Sequence, residues 1–288
     1  MKFVGFLLVL VGTLAGYMLG GGHLEPILEA LPHEMMTIGG CAIGAFIVAN
    51  PMHVIKSTMK NMNCVVKPEA HTKGSYLELM SIMYMLFKLA RTKGWLALES
   101  HIEQPHDSDL FKQFPEFYNN HHATSFVCDY LRIISLGNEN AHELEALMDE
   151  EIETITQERM HPSHAMQTMA DGIPALGIVA AVLGVIKTMG SISEPPEVLG
   201  RMIGGALCGT FLGVWLAYGF VGPLASALGA KAQTEIMYYR CIKVAIIAFL
   251  QGSAPQVAVE FARKFLPHDI QPGFFELEEK LNELPSPS

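Results

Sequence analysis

Uncharged apolar runs alternate with charged segments along this chain. Phe3–Gly22 carries no charged side chain, Met35–Ile55 none besides the titratable His53, Gly172–Ser193 only Lys187, and Met202–Ala230 is 29 residues without a charge. A bilayer core about 30 Å thick is crossed by roughly 20 apolar residues in helical form, so the runs predict four transmembrane helices in two pairs. Helices buried in a water-soluble core rarely stay uncharged for about 18 residues, which disfavours a soluble bundle. The first run follows Met1-Lys2 and invites comparison with a signal peptide. It is longer than a signal-peptide core, and its small-residue stretch Thr13-Leu14-Ala15 lies inside the run instead of after it, so a retained first span is expected.

Between and after the pairs the pattern changes to helical amphipathicity. In "YLELMSIMYMLFKLARTKGWLALESHIE" the residues Leu79, Ile82, Met83, Leu86 and Leu89 recur at helical spacing, with a break or bend expected near Gly94. "NAHELEALMDEEIETITQERM" reads as a second, acidic helix leading towards span three, and the final "PSPS" is too polar and proline-rich to pack. Strand-like alternation of useful length is missing. The reading is an all-α integral membrane protein with four transmembrane helices: spans one and two in 1–55, a large helical domain in 56–170, spans three and four in 171–230 and a tail in 231–288.

Charge then orients the spans. The chain has 50% hydrophobic and 17% charged residues, a net charge of −10 and a mean hydropathy of +0.28, a combination that segregation along the chain accounts for. Of 19 Lys and Arg, ten fall in 56–170 and six after Ala230, whereas the first inter-span segment, "HLEPILEALPHE", has three Glu and no Lys or Arg. Lys56, Lys60 and Lys67 follow span two, and Lys231, Arg240 and Lys243 follow span four. The positive-inside rule predicts both polar segments and both termini in the cytoplasm.

The spans are rich in small residues four apart: Gly12, Gly16 and Gly20; Gly40 and Gly44; Gly205, Gly209, Gly213 and Ala217. Such faces let helices approach closely in lipid. No Asp or Glu falls within the four spans so drawn, although ion-moving bundles normally keep an ionisable group inside the membrane. Asp171 is expected as the N-cap of span three, Lys187 as a snorkelling side chain near its outer end, and Thr210 as a hydroxyl lining any path. Pro174 fits a first helical turn. Pro223 lies in an unbroken apolar run and should free the carbonyl near Gly219 and kink the helix. Lys88 with Arg91, and Glu99 with Glu103, form charged faces, and Glu150 sits in an acidic run. The five cysteines are scattered, and the twelve histidines cluster with no other ligand type, which argues against a disulfide framework or a metal site. A catalytic nucleophile, paired carboxylates or a phosphate loop is not visible, and the acidic balance disfavours nucleic acid.

"RTKGWLALE" (91–99), "MADGIPALGIVAAVLGVIKTMG" (169–190) and "GTFLGVWLAYGFVGPLA" (209–225), set in the four-span pattern with its large loop, resemble the MotA family of bacterial flagellar stator subunits, within the MotA/TolQ/ExbB proton channel superfamily. The resemblance covers essentially the whole chain. It implies an inner-membrane homo-oligomer, a pentamer, around a dimer of the single-span partner MotB, whose membrane aspartate carries the coupling ion, H+, with no cofactor. It further implies that Pro174 and Pro223 couple ion passage to conformational change and that Arg91 and Glu99 meet charges on the rotor protein FliG, with Glu150 a weaker candidate. An ExbB- or TolQ-like energiser of outer-membrane processes is the alternative, weakened by the extra span and by "RTKGWLALE"; a non-conducting membrane scaffold is another.

Overall fold

The computed structural model describes residues 2–65 and 71–285, and every regular element among them is helical. In chain order these are α1 (Lys2–Leu19), α2 (Glu25–Ala49), α3 (Met52–Val65), α4 (Lys73–Lys93), a 3-10 turn (Trp95–Leu98), α5 (Glu99–Glu103), α6 (Asp109–Lys112), α7 (Pro115–Tyr118), α8 (His121–Ser135), α9 (Ala141–Met189), α10 (Pro196–Leu216), a π turn (Ala217–Val221), α11 (Gly222–Leu250), α12 (Pro255–Phe265) and α13 (Phe274–Asn282). The helices containing α1, α2, α9, and α10 with α11 are long and apolar enough to cross a membrane. Two compact units result, one from 1–68 with 159–231 and the other from 69–158 with 232–288. Lys67, and residues 286–288 of the terminal "PSPS", lie outside the described residues.

In the first unit, α2 packs on α10 around Ile38, Ala42, Ile173, Ala180, Leu212 and Ala217. No residue of α1 is buried, and Leu7, Leu8, Ile178, Val182 and Ile186 are exposed, as surfaces facing lipid or other helices must be. Two expectations are corrected here. α9 is one 49-residue helix, so Asp171 is no N-cap: it is exposed, and Gln167 Nε2 donates to its Oδ1 at 2.8 Å. Pro174 is correspondingly an interior proline, tolerated because a membrane helix packed on its neighbours can absorb the missing backbone bond. The acidic stretch read as a loop is mostly helix: α2 starts at Glu25 with proline in its first turn, where acids suit the helix dipole. Glu34 therefore lies within the helix that is long and apolar enough to form span two, not in a loop before it.

The second unit is built on α4. Leu79, Ile82, Met83, Leu86 and Leu89 are all buried, but so are Tyr76, Met80, Met85 and Phe87, so α4 is covered on nearly all sides, by α7, α12 and α13 among others. Gly94 ends it at φ +82°, a conformation open to glycine, and its N–H donates to Ala90 O at 2.9 Å. Residues 232–250 of α11 contribute the buried Tyr238, Ile242 and Ile246, and Phe249 stacks on Phe87 at 4.4 Å. The residues after 231 are thus part of this unit's core. Arg263, 5% exposed in its side chain, is held by Glu260 and by Pro272 O.

Candidate functional site

In the first unit α9 meets α10 glycine against glycine. A methyl group on Gly213 would lie 2.8 Å from Gly177 Cα and 3.1 Å from Ile173 O; one on Gly177 would lie 2.8 Å from Gly209 O; one on Gly184 would lie 2.7 Å from Ala206 Cβ. α9 and α10 thus touch backbone to backbone along Gly177, Gly184, Ala206, Gly209 and Gly213, which only small residues permit. Of the face read from the sequence, Gly209 and Gly213 are in this seam, whereas a methyl on Gly205, Gly12, Gly16, Gly40 or Gly44 meets nothing within 4 Å. Pro174, half-buried, adjoins Ile173 at the seam's lower part, and Thr210, also half-buried, follows Gly209.

Pro223 has a visible local effect. Its ring has no N–H to donate, and an α-helix ahead of it would strand a carbonyl; the chain instead widens into the π turn Ala217–Val221, where Gly222 N–H donates to Ala217 O. The regular α-helix is thus interrupted around Gly219, and π bulges tend to stand at functional positions. α1 clasps the turn. Phe6 stacks on Phe220 at 5.6 Å, a methyl on Gly219 would lie 2.9 Å from Val9 Cγ1, and Trp215 Nε1 donates to Thr13 Oγ1 at 3.0 Å. Just past Pro223, Ser163 Oγ donates to Ala225 O at 2.8 Å, tying α9 to the start of α11.

The charged candidates lie in the second unit. Arg91 is exposed at the end of α4, and its Nη1 donates to Gly252 O at 3.4 Å and Ser253 O at 3.3 Å. Glu99 is exposed at the first position of α5, and Glu150 is exposed on α9. The neighbouring Glu103, read from the sequence as a companion of Glu99, is engaged by Arg132 at 2.6 Å. Arg91 and Glu99 are brought to the two sides of the Gly94 turn, and the segment between them folds as the 3-10 turn whose Trp95 packs edge-on against Phe249 at 5.7 Å. Other groups of this unit are shifted from their ordinary values. Burial raises the Glu78 carboxyl against the hydrogen bond that Phe117 N–H donates to it at 2.8 Å, and burial pushes the Cys128 thiol up to about 12.

Residues 3–94 match the family described as motility protein A N-terminal, and residues 119–240 match the MotA/TolQ/ExbB proton channel family. Over 99% of its length the chain is 41% identical to motility protein A of Salmonella typhimurium, covering 96% of that protein. The chain belongs to the motility protein A family. It is also 40% identical to the Escherichia coli motility protein A over 99% of this chain and 96% of that one, and 35% identical to the chemotaxis protein LafT of Vibrio parahaemolyticus over 98% of each. The fold of this family member superposes on C. jejuni MotAB with a TM-score of 0.74 over 93% of this chain and 95% of that one, at 20% identity. It superposes on the flagellar MotAB stator complex of Bacillus subtilis with a TM-score of 0.72 over 93% and 97%, at 24% identity.

Sequence reasoning missed two features of this motility protein A fold. One is Glu34, whose signal was hidden because its charge marked the segment as a loop. The other is the spread of the seam onto α9: the pair Gly177 and Gly184 is spaced seven apart, two helical turns, and is visible in "ALGIVAAVLG" once that period is sought.

Proposed function

We propose that this chain is the multi-span stator subunit of a bacterial flagellar motor. Several copies, five in the simplest reading, surround a dimer of a MotB-like single-span partner in the inner membrane, with both termini and the second unit on the cytoplasmic side. Protons, worth about 2.3 kcal/mol per charge per 100 mV, pass between this subunit and the partner and neutralise the partner's membrane aspartate. Thr210, beside the seam, lines the path. Repacking against α9 and α10 acts on the stretch around Pro174 and on the π turn at Pro223, and the resulting movement reaches FliG through the exposed Arg91, Glu99 and Glu150, which suit encounter and orientation.

The observation that carries this reading is the full-length relation to motility protein A, because it includes the N-terminal region that the channel family alone does not cover. That same region weighs against an outer-membrane energiser. The unpacked glycines of α1 and α2, Gly12, Gly16, Gly40 and Gly44, support packing against further chains. The test is cytoplasmic acidification in cells expressing this chain alone, with an unplugged partner, and with that partner lacking its membrane aspartate. Acidification confined to the intact pair is expected. Its absence, with both proteins in the membrane, would leave sodium coupling, read by a sodium reporter, or a scaffold.

A further inference from the structure

One carboxylate of α2 has no role in the scheme above. Glu34 Oε2 has no exposure to solvent and no hydrogen-bond partner. It is wedged against the seam, 2.7 Å from where a methyl on Gly209 would lie, at a point where that methyl would also be 2.9 Å from Ala181 N. The residue is nevertheless only half-buried, because its other side lines a cavity of about 350 Å³ between α2, α9 and α10. At 1.5 Å per residue, Glu34 lies about 14 Å along α2 from Glu25, and the Gly209 it touches lies about 20 Å along α10 from Pro196. Thr210 is the next residue on α10.

Sealing one oxygen of an ionised carboxylate against the Gly209 backbone is unfavourable, and a neutral carboxyl avoids that cost. The groups facing it allow both forms. Glu29 and His33 from α2, Lys187 from α9 and Arg201 from α10 line the same cavity, and Cys208 precedes the glycine it touches. These cations make the cavity side the favourable one for a charged carboxylate, while the seam accepts a carboxyl that has lost its charge. Glycine at position 209 is what leaves room for the oxygen in the second position.

We propose that Glu34 is a proton-carrying carboxyl of this chain, loading from the cavity and unloading towards the partner; this rests on the stator reading given above. A hydronium ion in the cavity gives its proton to the Glu34 carboxylate and becomes water. The neutral carboxyl, held in the seam, then gives that proton to the partner's membrane carboxylate and returns to its anionic form. Glu34 thus sets how fast the partner is loaded from the outside.

The test uses the full chain with its unplugged partner in proteoliposomes, comparing wild type, Glu34→Gln and Glu34→Asp, each checked for co-purification with the partner. Proton uptake should fall about 100-fold in Glu34→Gln, the range lost when a positioned proton-transfer group is removed, with partial recovery in Glu34→Asp. The dependence of uptake on external pH should change in both, which a group with only a packing role would not cause. Infrared difference spectra across a pH step should contain a protonated-carboxyl C=O band that is absent in Glu34→Gln and displaced in Glu34→Asp. Wild-type uptake and an unchanged band in Glu34→Gln would overturn the proposal. If the wild-type complex itself takes up no protons, the proton-driven stator reading fails, and the infrared band still decides whether Glu34 exchanges a proton.

Discussion

Replacing Gly213 by alanine tests whether the α9–α10 seam is set by backbone contact. The new methyl would lie 2.8 Å from Gly177 Cα, 3.1 Å from Ile173 O and 3.2 Å from Gly177 N. All three are main-chain atoms, so no side-chain rotation relieves the clash, and the helices must separate by about 1 Å to restore carbon contacts of about 3.5–4.0 Å. Overpacking of this kind costs about 1–3 kcal/mol. Alanine is also the better helix former, by about 1 kcal/mol, so the comparison is made with Gly205→Ala on the same helix, whose methyl meets nothing within 4 Å. The propensity gain cancels in the difference, and Gly213→Ala should be less stable than Gly205→Ala by the full overpacking cost. A Trp95→Phe background leaves Trp215 as the chain's single tryptophan, close to the seam, to follow denaturant unfolding in nanodiscs. Equal midpoints for the two variants would refute backbone-level packing. Because the clash falls on Ile173 O, next to Pro174, Gly213→Ala should also slow swimming more than Gly205→Ala.

Pro174→Leu should insert and assemble normally yet abolish flagellar rotation; normal rotation in tethered cells would remove Pro174 from the coupling mechanism. Arg91→Ala should impair swimming while leaving proton uptake by the unplugged complex intact, and it should raise hydrogen exchange around Gly252, whose carbonyl it binds; unaltered swimming would exclude Arg91 from the rotor interface. His71 stacks on Tyr238 at 4.0 Å, and burial holds its imidazole down at about 4, with Glu116 opposing. The unfolded chain takes up that proton near 6.5 and the folded one resists it, so this contribution is complete above pH 6.5 and is lost as pH falls through 4. The loss is about 3 kcal/mol at 1.36 kcal/mol per pKa unit. Unfolding of the second unit followed by Trp95 fluorescence should show this fall, and His71→Phe should flatten it; identical pH profiles would refute the buried neutral form.

The sequence made legible whatever depends on local composition. The four apolar runs follow from the absence of charge, the end of α4 from Gly94, and the disturbance at Pro223 from a missing donor. Features depending on neighbours were misread. Pro174 and Asp171 look like the start of a helix because prolines and acids are commonest there, yet packed neighbours let α9 run through both. Glu25, Glu29 and Glu34 look like a loop because charge is costly in lipid, yet α2 places Glu34 against a glycine that accommodates it. The burial of α4 on nearly every side, and the addition of 232–288 to its surroundings, rest on pairings between residues far apart in sequence. Arg91, Glu99 and Glu150 were legible as charged surface, whereas the carbonyls that Arg91 holds belong to a turn more than 150 residues away.

The π turn carries one more residue in its loop of hydrogen bonds than an α turn does. An α-helix advances about 100° per residue, so Ala217–Val221 turns everything before it, relative to Ala225 and Leu228 after it, by that angle. Deleting a single residue between 217 and 221 would let the segment close as an ordinary helix with its length almost unchanged. The phase between the Gly209–Gly213 seam and the Met166–Ala225–Leu228 cluster would nevertheless be lost. In this stretch the chain should therefore tolerate many exchanges of side chain and no change in residue count, and a library of single-codon deletions read against substitutions at the same positions would reveal that asymmetry.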